Sequence, residues 1–313
     1  MSLAIAVAVV VMGSVLLRVG CSWLMQVLPP ATAVRAVSMA AVALGAVTSL
    51  IVAMVCFSFV AQVPTVARAS EWSPSSLATH GAIPSTVGLA ACLVLVLAGV
   101  RAIRTLVNIA QQLGTAHRAI RQLGRLTAER VVVVEDEQPD AYALASARTG
   151  RVVVTTGMLA ALDAEERRVL LAHENAHLAH RHHLYLGVCD LAAAINPLLG
   201  PLSVDVRSAV ERWADEDAAA AVQDRQLTAR TVARAGLATA SGKRLALWQA
   251  LPMAQGSVVT RTAALLQPPR GPYPLAMAAL SGLLIVVLGA ALPLASSTEH
   301  RFERAHAAFE SRD

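Results

Sequence analysis

Four long apolar runs constrain the fold of this chain more than any other feature of its sequence. Residues 3 to 20, 36 to 61, 83 to 100 and 273 to 295 contain almost no charged side chains. A helix of about 20 residues spans the roughly 30 Å hydrocarbon core of a bilayer. Only 15% of the residues are charged and 56% are hydrophobic, whereas about 25% of the residues in an ordinary soluble domain are charged. We therefore predict a mainly α, multi-pass membrane protein with four transmembrane helices.

The stretch between the third and fourth runs, residues 101 to 272, predicts a folded α+β domain. Three strands are predicted at residues 131 to 134, 141 to 147 and 151 to 155, and we expect them to form a small antiparallel sheet. Asp163, followed three residues later by Glu166, predicts a capping box at the start of the next helix. The fourth run, 273 to 295, follows this domain, and residues 296 to 313 are expected to form a short polar tail.

The arginines predict which side of the membrane this domain faces. Arginines follow the third run at positions 101, 104, 118, 121 and 125, and Arg18 and Arg35 flank the connection between the first two runs. The loop at 62 to 82 is nearly neutral by comparison. Because short cytoplasmic flanks collect Lys and Arg, we expect a cell-membrane protein with a cytoplasmic domain and both termini outside the cytoplasm.

Composition also excludes several classes of protein. The net charge of +5 comes largely from arginines beside apolar runs, and aromatic residues make up only 4% of the chain. A base-stacking surface needs more aromatic side chains, so we expect the lipid bilayer and no nucleic acid as a partner. The four cysteines form no C-x-x-C pair, which argues against a disulfide framework and against a cysteine metal site.

Residues 173 to 177, His-Glu-Asn-Ala-His, carry the H-E-x-x-H pattern within an alanine- and leucine-rich helical segment. Two histidines four residues apart lie on one face of a helix, so both imidazoles can bind one zinc ion. Glu174 lies beside them and can act as a general base towards water that the metal activates, which is hydrolytic chemistry. The pentapeptide also occurs by chance in unrelated helices, so the prediction needs further ligands.

A catalytic zinc takes three protein ligands and leaves one position open. Glu211 and Asp215 lie four residues apart in a second alanine-rich helical pattern. We predict that Glu211 is the third ligand and that Asp215 accepts the free ring N–H of a ligating histidine. The alternative is an acidic, solvated helix surface. His183 has the spacing of the longer pattern H-E-x-x-H-x-x-G-x-x-H, but His180 replaces the glycine that this pattern requires.

His180 and Arg261 are candidates for stabilising the transition state. Together with His182 and His183, His180 is expected to form the polar end of the zinc helix, where positive charge suits the helix dipole. The edge of the predicted sheet, if it lies beside the metal, can hold an extended substrate by strand addition.

Residues 184 to 202 are apolar enough to suggest a further crossing of the membrane. A crossing there would separate His173 and His177 from Glu211, and the three could not share one metal. We therefore expect a buried or membrane-skimming helix that ends at Asn196 and Pro197, since a helix seldom continues through a proline.

These residues resemble the BlaR/MecR-type membrane zinc metallopeptidases and, more distantly, the HtpX-like membrane proteases. The resemblance rests on three apolar runs before the H-E-x-x-H motif, the segment Glu211-Arg-Trp-Ala-Asp215 after it, and one apolar run after the domain. The strand text at 141 to 143 and 152 to 157 is similar to the segment that precedes the zinc helix in that family. The resemblance implies an integral-membrane gluzincin with a cytoplasmic zincin-like domain. In that family the two motif histidines and the later glutamate bind one zinc ion, and the first motif glutamate is the base.

The expected substrate is a protein or peptide, for example a cytoplasmic transcriptional repressor cleaved in signalling. Sensor members of the family carry a large extracellular domain after the last span, whereas this sequence stops at Asp313, so we expect neither that domain nor β-lactam sensing. Two alternatives stay open. One is a protease of membrane-protein quality control, and the other is a non-catalytic signalling module that keeps the zinc site for stability.

Overall fold

Uninterrupted apolar sequence produces three long helices in the first 126 residues. The computed structural model describes residues 3–72, 83–126, 129–146, 150–242, 251–268, 271 and 273–310. The long helices are α1 (Leu3–Val27), α2 (Pro30–Val60) and α4 (Ser85–Leu126), and the short α3 (Pro64–Ala69) lies between the last two. Each long helix is apolar enough over a sufficient length to cross a membrane. Large apolar side chains stay exposed along all three, as they do in helices that face lipid.

The predicted fourth span falls in helix α11 (Pro274–Glu310). Among the residues whose side chains the structure describes, its apolar portion is Pro274–Ala290. The fourth crossing stays a prediction. Residues 296 to 310, expected to form a tail, continue the same helix.

The sheet contains β1 (Val131–Val134), β2 (Ala141–Ala145) and β3 (Gly150–Thr155) in the spatial order β1-β3-β2. The β2 and β3 strands pair antiparallel, as predicted, but β1 pairs parallel to β3. The prediction of an all-antiparallel sheet was therefore wrong. The β3 strand takes the central position, where Val152 to Val154 are buried. The chain reverses direction between β1 and β2, and β3 inserts between these two strands. As a result β3 runs antiparallel to β2 and parallel to β1.

Within the described part of the chain, six α-helices follow the sheet before α11: α5 (Thr156–Ala161), α6 (Ala164–Ala179), α7 (His182–Ile195), α8 (Leu202–Val222), α9 (Arg225–Gly242) and α10 (Leu251–Leu265). The predicted capping box of α6 is confirmed. The Asp163 carboxylate accepts from the backbone N–H of Glu166, and the Glu166 carboxylate accepts from the backbone N–H of Asp163. This reciprocal cap fixes the start of the helix that carries the H-E-x-x-H motif.

Helices α7 and α8, joined by a 3₁₀ turn at Pro197–Leu199, form a hairpin that packs between the long apolar helices. As predicted, α7 ends at Asn196. The Asn196 side-chain amide donates to Ser14 Oγ at 2.9 Å and to Thr48 Oγ1 at 3.2 Å. Ser14 and Thr48 lie close to the middle of α1 and α2. The tip of the α7–α8 hairpin therefore lies beside the midpoints of these two helices.

Candidate metal centre

Helix α6 brings two imidazoles into contact. The Nε2 atoms of His173 and His177 lie 3.2 Å apart, as expected for residues one helical turn apart. His173 and Glu174 are almost fully buried, with 9% and 8% of their surface exposed. This end of α6 therefore presents titratable groups in an environment that excludes most water.

Helix α8 packs against α6 and places Glu211 beside both imidazoles. The two Glu211 carboxylate oxygens lie 3.7 Å from His173 Nε2 and 3.7 Å from His177 Nε2. Ligand atoms of His173, His177 and Glu211 all lie within 4.8 Å of one another. The structure thus brings together the three residues predicted as ligands. The earlier competitor, His183, is not a member of this group.

These distances fit a small tetrahedral metal ion. Two ligand atoms that each lie about 2.1 Å from a tetrahedral zinc are separated by about 3.4 Å. The observed separations of 3.2, 3.7 and 3.7 Å are close to that value. Two imidazole nitrogens and one carboxylate also match the donors found at catalytic zinc sites. His173, His177 and Glu211 are therefore able to hold such an ion.

Asp215 lies one turn beyond Glu211 on α8, where only 1% of its surface is exposed. Its Oδ1 atom is 3.0 Å from His173 Nδ1, which places it on the side of the ring opposite the metal-facing nitrogen. The contact is not aligned as a hydrogen bond, because His173 Nδ1 has no hydrogen-bond partner among the described residues.

Arg261, from α10, holds this acidic pair in place. Its guanidinium donates to both Asp215 oxygens, at 2.7 and 2.6 Å, and lies 3.2 Å from a Glu211 oxygen. A bidentate pair of this kind is the strongest arrangement available to an arginine and a carboxylate. The sequence suggested Arg261 only as a transition-state stabiliser. Its contacts make it the counter-charge for Asp215 and Glu211, and its role in the transition state stays a prediction.

The histidines after the motif do not form an exposed polar helix end, because α6 stops at Ala179 and His182 is buried. His180, predicted as a possible transition-state stabiliser, lies with its Nε2 atom 2.6 Å from Asp217 Oδ2 and stacks on Trp213 with ring centroids 4.5 Å apart. His182 Nδ1 lies 2.9 Å from His177 Nδ1. Sequence reasoning missed the contact of His182 with His177, since the charged neighbours of His182 suggested a solvated surface.

The carboxylates shift the titration of His173. Burial alone would lower the pKa of His173, but Asp215 and Glu211 outweigh burial and raise that pKa to about 10. Burial would raise the pKa of Glu211, yet His173 and Arg261 outweigh it and lower that pKa to about 2. Without a metal, one proton on His173 therefore balances the acidic pair. A divalent cation can replace that proton.

Burial shifts the pKa values of His177, His182 and Glu174 in the direction that favours their uncharged forms. Burial lowers the pKa of His177 to about 4 and the pKa of His182 to about 3. Burial also raises the pKa of Glu174. A raised pKa suits a carboxylate that takes up a proton and releases it again near neutral pH.

The sheet also lies beside the candidate metal centre. Strand β2 is an edge strand and packs against α6. Asp140, directly before β2, is near enough to Glu174 to contribute to raising its pKa, after the larger effect of burial. The outer edge of β2 has no strand partner among the described residues, and the start of β2 lies close to the predicted base.

One comparison with known proteins matches the segment that contains the H-E-x-x-H motif to a known family. The model of Peptidase family M48 matches residues 109–195. A protease HtpX homolog of Acidiphilium cryptum is 33% identical over 107 residues, which cover 30% of this chain and 36% of that protein. A protease HtpX homolog of Thermodesulfovibrio yellowstonii is 37% identical over 79 residues, which cover 25% of this chain and 27% of that protein. The chain thus spans about a third of the length of these curated relatives. No solved structure is significantly similar to the chain.

Proposed function

We propose that this protein is a membrane-bound, zinc-dependent endopeptidase. The observation that carries the proposal is the group of His173, His177 and Glu211, with Glu174 buried beside it. The match to Peptidase family M48 over residues 109–195 supports the same reading. A non-catalytic metal site would not require the buried carboxylate of Glu174 next to the three ligands.

In this mechanism each residue has one task. His173 and His177 would hold zinc through their imidazoles, and Glu211 would hold it through its carboxylate. Zinc held there supplies a Lewis acid that makes water nucleophilic near neutral pH. The Glu174 carboxylate accepts the proton of the attacking water and passes it to the leaving amine. Asp215 and Arg261 hold His173 and Glu211 in position.

Formal charges also favour a divalent ion. With both histidines neutral, the two positive charges of zinc and the charge of Arg261 balance Glu211, Asp215 and an ionised Glu174. Buried charges are stable only when they are compensated in this way. A monovalent ion would leave the centre with one uncompensated negative charge.

The substrate is proposed to be an extended segment of a protein that pairs with the open edge of β2. Strand addition of this kind supplies backbone hydrogen bonds without requiring a particular side chain. The position of β2 against α6 brings such a segment alongside Glu174.

We place the metal centre at the cytoplasmic surface of the membrane, with four crossings and both termini outside. This orientation is based on the clustered arginines after residue 100, because short cytoplasmic flanks collect Lys and Arg. The α7–α8 hairpin enters from the cytoplasmic side and returns, so His173 and Glu211 stay on one side.

Reporter fusions test this topology. A reporter that is active only in the cytoplasm should be active after Leu162 and after Asp224 and silent after Asp313. Activity after Leu162 without activity after Asp224 would mean that the α7–α8 segment crosses the membrane, and the shared metal site could not exist.

The biological role is proposed from the BlaR/MecR-like motif arrangement, which favours cleavage of a cytoplasmic repressor. Quality control of membrane proteins is the alternative role. Loss of one defined repressor fragment on deletion of this protein would support signalling. Accumulation of many misfolded membrane proteins would support quality control.

The enzymatic proposal is tested with the purified full-length chain in detergent. We expect cleavage of casein that is lost when a chelator removes zinc and restored when zinc is added back. Cleavage that continues unchanged in the chelator would contradict a zinc mechanism.

A further inference from the structure

The two histidines of the metal centre have different partners behind them. His173 Nδ1 faces the carboxylate of Asp215 at 3.0 Å. His177 Nδ1 instead lies 2.9 Å from Nδ1 of a second imidazole, that of His182. The structure thus gives one predicted ligand an anionic partner and the other a neutral one.

A sharp turn puts His182 in this place. Arg181, at φ 51°, adopts the left-handed conformation between α6 and α7, which a residue with a side chain rarely occupies. The turn lets His182, the first residue of α7, contact His177, which lies two residues before the end of α6. His182 is only 1% exposed as a result, so water cannot replace its contact with His177.

The proton positions follow from the metal site. His177 Nε2 faces His173 and Glu211 and must offer its lone pair to the metal, so the ring proton lies on Nδ1. Two Nδ1 atoms at hydrogen-bond distance share one proton. His177 would therefore donate, and His182 would accept through Nδ1 and carry its own proton on Nε2, a buried nitrogen that has no hydrogen-bond partner among the described residues.

We propose that His182 is a positioning residue that fixes the tautomer and the ring orientation of His177 for zinc. This inference rests on the zinc site proposed above. Metal-binding histidines generally donate their second N–H to such a partner, which holds the ring and raises its basicity. A neutral imidazole raises that basicity less than a carboxylate does, so His177 is the weaker donor of the two histidines.

Aromatic contacts hold His182 itself in place. Its ring lies against Trp213, with centroids 4.7 Å apart, and stacks on His180 at 5.6 Å. Arg35, from α2, lies 4.7 Å above the Trp213 ring. The orientation of His177 is therefore supported by packing that extends from the metal centre to the helix bundle.

Two substitutions separate the hydrogen bond from the packing. His182→Asn carries its Oδ1 at the same number of bonds from Cα as the Nδ1 of histidine, so it keeps the acceptor. His182→Phe keeps an aromatic ring but removes the acceptor. His183→Phe is the matched control, because His183 is the next residue of α7 and lies outside the metal group.

The experiment measures the zinc dissociation constant of the full-length chain by competition with a chromophoric chelator, together with the visible spectrum of the cobalt-loaded protein. We expect His182→Phe to weaken zinc binding by about 10- to 100-fold, as loss of such a partner does at other zinc sites, and to change the cobalt spectrum. His182→Asn and His183→Phe should match the wild type in both measurements. If the Phe variant fails to fold, His182→Ala removes the same acceptor.

Wild-type zinc affinity in His182→Phe, or equal weakening in His182→Asn and His182→Phe, would overturn the inference. These results differ from failure of the proposed enzyme. A wild-type chain that binds zinc but cleaves no protein would refute the endopeptidase and leave the role of His182 intact.

Discussion

The two ends of the α7–α8 hairpin bury polar groups in opposite ways. At the metal end, Glu211 and Asp215 depend on Arg261 and on a proton or a metal for compensation. At the tip, Asn196 is neutral and donates to the hydroxyls of Ser14 and Thr48. These hydroxyls also donate to backbone carbonyls of their own helices, at 2.8 and 2.7 Å.

This difference predicts which substitutions should affect metal binding and stability. Removing a group from the metal end leaves a buried charge without its partner, which is costly. Removing Asn196 leaves hydroxyls that keep another acceptor, so the cost is only that of the lost hydrogen bonds. Substitutions at the metal end should therefore change metal binding and stability strongly, while substitutions at the tip should have mild effects.

The largest effect is expected for Glu211→Ala. This change removes one of three protein ligands, and the zinc content should fall from one ion per chain towards none, as measured by atomic emission after dialysis. His183→Ala is the control and should keep its zinc. The reverse result, zinc retained in Glu211→Ala and lost in His183→Ala, would assign the third ligand to His183.

Arg261→Met should be the next most damaging change. It keeps much of the side-chain volume but leaves Asp215 and Glu211 without their counter-charge. Breaking a buried ion pair in this way costs about 3–5 kcal/mol, and the midpoint of denaturant unfolding of the metal-free chain should fall accordingly. Arg168→Met, which breaks a solvent-exposed pair with Glu165, should leave the midpoint unchanged. Equal midpoints for the two variants would show that the charges at the metal end are not stabilised as described.

Zinc affinity should rise with pH. Because His173 has a pKa of about 10 in the metal-free chain, it is protonated at neutral pH and must lose that proton before it can bind. Each ion bound below pH 10 should therefore release one proton from His173, and affinity should increase about tenfold per pH unit. Calorimetry in buffers of different ionisation enthalpy counts this proton. Binding without proton release would mean that His173 is already neutral.

Asn196→Ala should have the smallest effect. Each of the three lost hydrogen bonds should lower the free energy of unfolding by about 1 kcal/mol, measured by denaturant unfolding in detergent. Zinc content should not change. A loss of zinc in this variant would show that the tip and the metal end are coupled, and that the comparison between them does not hold.

Local periodicity explains which features the sequence predicted well. Helical spacing alone places His173 beside His177 and Glu211 beside Asp215, and the Asp163 capping box depends on residues three positions apart. Each of these predictions uses contacts within one or two turns of a single helix, where side-chain positions follow directly from the sequence.

Features that depend on packing between distant segments were not predictable. The pairing of Arg261 with Asp215 joins residues 46 positions apart, and nothing in the local sequence distinguishes Arg261 from other arginines. The parallel direction of β1 depends on which strand takes the centre of the sheet. The burial of His182 depends on the left-handed turn at Arg181. The sequence around His182 is polar, and it therefore suggested an exposed helix end.

The most direct test of the central claim is the Glu174→Gln variant. The amide keeps the shape of the side chain but cannot accept the proton of the attacking water. We expect one zinc ion per chain in both wild type and variant, and a rate of casein cleavage that is lower in the variant by at least about 10²-fold. Near wild-type cleavage by the zinc-loaded variant would contradict the role of Glu174 as the base and the mechanism built on it.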